Sequence, residues 1–235
     1  MQLPWVLANQ ALPDPSQALC EPNGLLCAGL DLDATRLLEA YRKGIFPWYS
    51  DGQPVLWWSP DPRMVLYCTD FRFHRSLRKR SRALAKETGW TLEINADFPS
   101  VIKACAAPRR HQQGTWITEE IIAAYTALHR LGYAQSIELR YENELRAGLY
   151  GVSIGRMFFG ESMFTSFQDG SKLALAALVM LLQAQGFTMI DCQQQTDHLA
   201  LMGAKPIPRT LYLEHIQDLC GRTPPDWSSC QLYWP

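Results

Sequence analysis

The sequence predicts a mixed α+β protein, and three features carry that expectation. Gln135 to Tyr141 and Leu145 to Ser153 alternate in hydrophobicity around Glu142-Asn143-Glu144, as a hairpin does. The run from Leu173 to Leu182 is apolar for ten residues, about half of the ~20 needed to cross a bilayer, so it reads as a buried helix. The run from Phe187 to Gln193 is strand-like and ends on Asp191 and Gln193. A meander of strands, a buried helix and a further strand make a sheet domain.

The elements follow in order. The first ~60 residues are rich in Pro, Gly and Trp and hold one clear helix, in which Asp33 caps, Leu37, Leu38 and Tyr41 share a face and Gly44 stops. Two aromatic–proline segments follow, residues 44–49 and 57–63, and proline chemistry makes both rigid loops that present flat side chains. They are either a small Trp-based core or a stacking platform for a base. Thr91 to Asn95 alternates as a strand, and Asp97 with Pro99 starts a short helix. Thr118, with Glu119 and Glu120 at the positive end of the dipole, opens a helix that Gly132 closes. A third strand runs from Arg156 to Phe159, and the long apolar helix spans Ser171 to the residue before Gly186. The expected division is residues 1–61 as a small N-terminal domain and 62–235 as the sheet domain.

Composition narrows the function. The 235 residues are 47% hydrophobic and 19% charged, with 22 basic against 23 acidic groups, as in an ordinary globular protein rather than a dedicated nucleic-acid coat. The N-terminus has no secretion signal, so no membrane association is expected. Seven cysteines without a C-x-x-C pair fit neither a disulfide framework nor a zinc ribbon, and a reducing cytoplasm is the expected compartment. The sequence contains no G-x-x-x-x-G-K-[ST] loop and no G-x-G-x-x-G, so nucleotide-driven and dinucleotide chemistry are not indicated. Charge is unevenly spread. Between Arg72 and Lys86 lie seven basic residues and no acidic one, either a solvated helical face or a phosphate-binding patch formed by Arg72, Arg75, Arg78, Lys79, Arg80 and Arg82.

Two carboxylates stand in apolar surroundings. Asp191 closes the Phe187–Gln193 strand, where it and Gln193 would project to one side. A carboxylate set there ties down a loop or takes part in chemistry, because burying it unpartnered is costly. Glu161 lies between Met157-Phe158-Phe159-Gly160 and Ser162-Met163-Phe164, a setting that suits an amine ligand or a capped turn. If the two acids occupy neighbouring strands they line one pocket. Leu175, Leu178 and Leu182, at i, i+3 and i+7, would supply its apolar wall or else plain core.

Taken together, several strings resemble the bacterial leucyl/phenylalanyl-tRNA–protein transferases: Glu21 to Leu26 (EPNGLL), Tyr41 to Trp48 (YRKGIFPW), Trp57 to Arg63 (WWSPDPR), Gly114 to Thr118 (GTWIT), Leu149 to Val152, Phe159 to Phe164 (FGESMF), Ile190 to Gln193 (IDCQ) and Leu201 to Ala204 with Ile207-Pro208-Arg209. They run in order across nearly the whole chain. The resemblance implies a GNAT-like acyltransferase domain behind the small N-terminal domain. It implies transfer of Leu or Phe, and Met less well, from aminoacyl-tRNA to the α-amine of proteins beginning with Arg or Lys, which marks them for degradation.

By motif, Asp191 and Gln193 would be the catalytic pair and Glu161 would bind an amino group. Leu149, Phe158, Met163, Leu175, Leu178, Leu182 and Ile190 would line the aminoacyl pocket. Trp48 and Trp116 would stack on the terminal adenosine, and the basic block would follow the tRNA backbone. No cofactor or metal is implied, because aminoacyl-tRNA is itself a co-substrate, and a monomer is expected. Two other readings are an acetyl-CoA-dependent acetyltransferase and a non-catalytic tRNA-binding module. The turn Phe167 to Ser171 lacks the Q/R-x-x-G-x-G/A pattern of the first, and the second leaves the IDCQ and GESMF acids without a role.

Overall fold

A computed structural model describes residues 3–107 and 115–235. Gly114 of the GTWIT string lies outside them. A small four-stranded sheet has the order β1-β2-β4-β3, from β1 (Trp5–Val6), β2 (Leu25–Gly29), β3 (Phe46–Pro47) and β4 (Val55–Trp58). The helix α1 (Ala34–Arg42) belongs to the same region, and the Asp33 carboxylate caps it by accepting from the Arg36 N–H at 2.8 Å. The two aromatic–proline segments are therefore not simply loops, since Phe46-Pro47 and Val55 to Trp58 pair as strands. Pro47 stands on an edge strand, where its missing N–H is tolerated.

The larger sheet has seven strands in the order β11-β5-β10-β9-β8-β7-β6. These are β5 (Arg63–Tyr67), β6 (Trp90–Ile94), β7 (Ala134–Tyr141), β8 (Glu144–Ile154), β9 (Met157–Thr165), β10 (Met189–Gln193) and β11 (Lys205–Ile207). The helices are α2 (Arg75–Leu84), α3 (Phe98–Ala106), α4 (Glu119–Arg130), α5 (Gly170–Ala184), α6 (Asp197–Leu201) and α7 (Arg209–Cys220). The expected α+β class is the observed one. Strand β9 is longer than the sequence suggested and carries the whole FGESMF string.

Two apolar clusters cover the two faces. One joins the small sheet, α1, α3, α4 and α7 to the face bearing Tyr150, Val152 and Phe159. The other joins α2 and α5 to the face bearing Leu149, Phe158 and Ile190. The helix α5 is apolar nearly all round because it is covered almost completely, ten of its fifteen residues being buried.

One local feature positions the site. Strands β9 and β10 run parallel only through Ile190↔Phe158 and Asp191↔Phe159, after which β9 stays with β8 and β10 with β5. The sheet forks there. Just past the fork, Ser162 pairs with Tyr150 and Gly160 with Gly151, leaving Glu161 as the unopposed residue of a bulge. A Cβ at Gly151 would strike the Phe159 carbonyl oxygen, so the close approach of the strands at this bulge requires glycine.

Candidate active site

Arg63, Asp191 and Tyr212 form the floor of the fork. The Arg63 side chain donates to both oxygens of Asp191, Nε to Oδ1 at 2.8 Å and Nη2 to Oδ2 at 2.6 Å, and both residues are fully buried. The guanidinium lies between the rings of Phe46 (4.7 Å) and Tyr212 (4.6 Å) and donates from Nη1 to the Gly44 carbonyl at 3.2 Å. Tyr212 donates to Asp191 Oδ2 at 2.8 Å, and the Gln193 backbone N–H donates to Oδ1 at 2.9 Å. Burial works to lower the Arg63 pKa, but the Asp191 carboxylate and Tyr212 outweigh it and raise it. A buried ion pair of this kind is tolerable because four donors saturate the carboxylate and the guanidinium has aromatic faces on both sides. Gly44, at φ +71°, ends α1 here, and a Cβ would meet the Tyr212 ring at 2.8 Å.

The strand alternation expected at Asp191 and Gln193 breaks between them. The register slips at Cys192, and Gln193 takes φ +60°. Asp191 therefore holds Gln193 through the backbone N–H, while the Gln193 side chain turns to Glu161, with Nε2 donating to Oε1 at 2.7 Å.

Glu161 lies within hydrogen-bond distance of three groups. Besides Gln193, the Tyr41 hydroxyl is 2.7 Å from Oε1 and the Tyr125 hydroxyl 3.1 Å from Oε2, and the two hydroxyls also face one another, so their two protons are shared over three contacts. Part of the residue's surface reaches solvent, yet the carboxylate is enclosed by apolar rings. Burial pushes its pKa up to about 7, against the lowering by the Tyr41 and Tyr125 hydroxyls, and Asp191 adds to the rise. Among the described residues Glu161 has no basic partner within ion-pair distance, whereas Asp191 has Arg63. When ionised, Glu161 is the acid of the fork whose charge no described cation pairs.

One expectation is corrected. Glu161 and Asp191 do lie on neighbouring strands, but Leu175, Leu178 and Leu182 do not wall a pocket that contains both. Glu161 reaches Tyr41 and Tyr125 on one face, while α5 packs against the other. Leu149, Phe158, Leu175, Leu178, Leu182 and Ile190 are gathered in that second cluster, none more than 4% exposed, with half-buried Met163 packed against it. The apolar group lies beneath the polar one, across the sheet at the fork.

The remaining candidates lie on other elements. Trp48 is 40% exposed and packs edge-on against Trp58, with ring centroids 5.6 Å apart. Tyr49 donates to Glu120 at 3.4 Å, which sets the Trp48 segment beside the start of α4, just after half-buried Trp116. On α2, Leu77, Ser81 and Leu84 face inward, leaving Arg75, Arg78, Lys79 and Arg82 exposed, as is Arg72 before it; Arg80 is half-buried, its guanidinium 5.9 Å from the Phe167 ring. Among the described residues none of these six makes an ion pair with an acid. His74 bonds the Leu201 carbonyl at 3.0 Å and so joins the start of α2 to α6, four residues beyond Gln193. Among the described residues no group of three His, Cys, Asp or Glu could hold a metal ion, and no helix is long and apolar enough to cross a membrane.

Sequence reasoning missed Arg63, Tyr41, Tyr125 and Tyr212 as members of the site. A charged residue opening the apolar run Met64 to Tyr67 was a signal for Arg63, of the same kind as Asp191 ending its own run. Nothing local marks the tyrosines: Tyr41 reads only as part of an apolar helix face, and Tyr125 and Tyr212 carry no signal of their own.

Comparison with known proteins agrees with these strings. A family model described as "Leucyl/phenylalanyl-tRNA protein transferase" matches residues 65–217, and that of its N-terminal domain matches residues 30–61. Proteins named leucyl/phenylalanyl-tRNA–protein transferase from Bordetella petrii and Chromobacterium violaceum are each 51% identical, covering 99% and 95% of this chain and 94% of each relative. One from Burkholderia cenocepacia is 51% identical over 96% of this chain and 90% of the relative. Among solved structures, FemX has a TM-score of 0.45 at 12% identity, over 77% of this chain and 70% of that one, a likeness too distant to carry an argument. The ordered motifs and the full-length identity place this chain in the leucyl/phenylalanyl-tRNA protein transferase family.

Proposed function

We propose that the fork between β9 and β10 catalyses transfer of Leu or Phe, and Met less well, from aminoacyl-tRNA to the α-amine of proteins with N-terminal Arg or Lys. The observation that carries it is the locked carboxamide of Gln193. Its Nε2 is spent on Glu161 and its backbone on Asp191, so Oε1 is the atom left to accept from an attacking amine.

The acyl group arrives as an activated ester, so no cofactor or metal is needed. The free amine attacks the ester carbonyl carbon, a C–N bond forms, and the amine gives up a proton while hydrogen-bonded to Gln193 Oε1. The C–O bond to the terminal ribose then breaks, and the ribose oxygen takes up a proton. An α-amine has a pKa near 8, so about a tenth is already free at pH 7 and no strong base is required. Positioning supplies most of the rate, a contribution of roughly several kcal/mol. Asp191 acts from below as a positioning residue, because Arg63, Tyr212 and the Gln193 backbone occupy its oxygens. The charge of Glu161 favours an acceptor with a cationic first residue.

In this reading the second cluster receives the donor side chain, Trp48 and Trp116 stack on the terminal adenosine, and the α2 cations track the acceptor stem. The product is marked for degradation. The protein works as a monomer in the cytoplasm, and size-exclusion chromatography at the mass of one 26.7 kDa chain is the expected result. The deciding assay incubates the protein with labelled leucyl-tRNA and a peptide beginning with Arg, with an Ala-starting peptide and acetyl-CoA as controls. Label in the Arg peptide only, abolished by RNase pretreatment, supports the transferase. Retained tRNA binding without transfer refutes it.

A further inference from the structure

The donor cluster is closed. Six of its seven residues are at most 4% exposed, and a leucyl or benzyl group cannot enter so tightly packed a region unless a wall yields. Three walls stand on α5, a fifteen-residue helix buried along most of its length, and Ile190 stands on a strand paired on both sides. Phe158 differs. Its ring lies 6.2 Å from the indole of Trp227, which belongs to the segment following α7 and lies the same 6.2 Å from Phe187.

Trp227 in turn borders empty space. A cavity of about 710 Å³ lies between this segment and the sheet, lined by Trp227, Cys230 and Leu232 on one side and Leu92, Ile94 and Gln135 on the other. That volume is within the usual range for a small-molecule site. The segment is tied to α2 where Ser81 donates to the Pro235 carbonyl at 2.5 Å, and its own turn is held by Asp226, which accepts from the Ser228 N–H at 3.0 Å. Trp227, Cys230, Leu232 and Trp234 all pack on the donor cluster. The segment also lies beyond residues 65–217, where the family model matches.

We propose that Trp227 is a specificity-determining residue that acts through Phe158, setting how far that ring retreats toward the cavity when a donor side chain enters. The inference rests on the second cluster being the donor pocket. Phe158 has room to move only as far as Trp227 allows, so the indole limits the larger donor more than the smaller one.

The test is competition between phenylalanyl-tRNA and leucyl-tRNA for one Arg-starting peptide, where the active fraction of enzyme cancels from the ratio of kcat/KM values. Trp227→Ala is expected to raise the Phe/Leu ratio roughly 3- to 10-fold, and Trp227→Phe to stay within about twofold of the parent. Leu178→Ala, inside the cluster, is the control. If Leu178→Ala shifts the ratio and Trp227→Ala lowers both donors equally, Trp227 only seals the core and the proposal is overturned while the pocket reading stands. If neither shifts it, the pocket reading fails and takes this proposal with it. Should Trp227→Ala not fold, Trp227→Leu carries the same comparison with an expected rise of about threefold, and an unchanged ratio there is equally decisive against the proposal.

Discussion

Arg63 and Asp191 form a fully buried bidentate ion pair that joins the first residue of β5 to the strand carrying Gln193. The carboxylate is saturated, and one of its oxygens holds the Gln193 N–H where that residue takes φ +60°. The backbone geometry at Gln193 and core stability are therefore coupled at one place.

Removing one partner should be expensive. Asp191→Asn leaves Arg63 without a counter-charge and is expected to cost about 3–5 kcal/mol of stability, read by denaturant unfolding. It should also lower kcat more than it raises KM, since Gln193 loses its anchor. An unchanged kcat with only a raised KM would contradict the positioning role.

Gln193→Ala removes the hydrogen-bond acceptor proposed for the attacking amine and leaves the buried pair intact. A fall of about 100-fold in kcat is expected, with thermal stability close to the parent. Steady-state kinetics and a melting curve on the same preparation check both halves.

Glu161 should impose a pH dependence. Its pKa, about 7 in the folded protein, lies above the ordinary 4.5, so between those values the native state binds more protons than the unfolded one. Its contribution to stability falls as pH rises through that window. Activity should do the opposite, rising as the carboxylate that holds Gln193 ionises near pH 7. Glu161→Gln is expected to remove that limb of the kcat profile and to flatten the fall in Tm between pH 5 and pH 7; a profile identical to the parent would rule out Glu161 as the titrating group.

Replacing Arg75, Arg78, Lys79 and Arg82 by Gln should weaken tRNA binding and make it less salt-sensitive. Each lost phosphate contact lowers the slope of log affinity against log salt by roughly 0.7 to 0.9. Titrations between 50 and 200 mM salt measure it, and an unchanged slope would place the tRNA elsewhere.

Much of the fold was legible because its signals are local. Asp33 and Thr118 cap the helices they were expected to cap, and the β7–β8 hairpin and α5 lie where periodicity put them. Periodicity was less informative where pairing partners decide the outcome. Phe46-Pro47 became an edge strand because β4 was available to pair with it, and β9 ran on to Thr165 because β8 continued beside it.

The site divides in the same way. Sequence determined which residue types are present and in what order, since ordered strings such as IDCQ and FGESMF identify the family without any geometry. Only the tertiary structure decided that Arg63, 128 positions before Asp191, neutralises it, and that Tyr41 and Tyr125 converge on Glu161. It also put the leucine stripe of α5 across the sheet from both acids. The physical reason is that a buried charge is stabilised by whichever donors the fold brings within hydrogen-bond distance, and separation along the chain does not limit which those are.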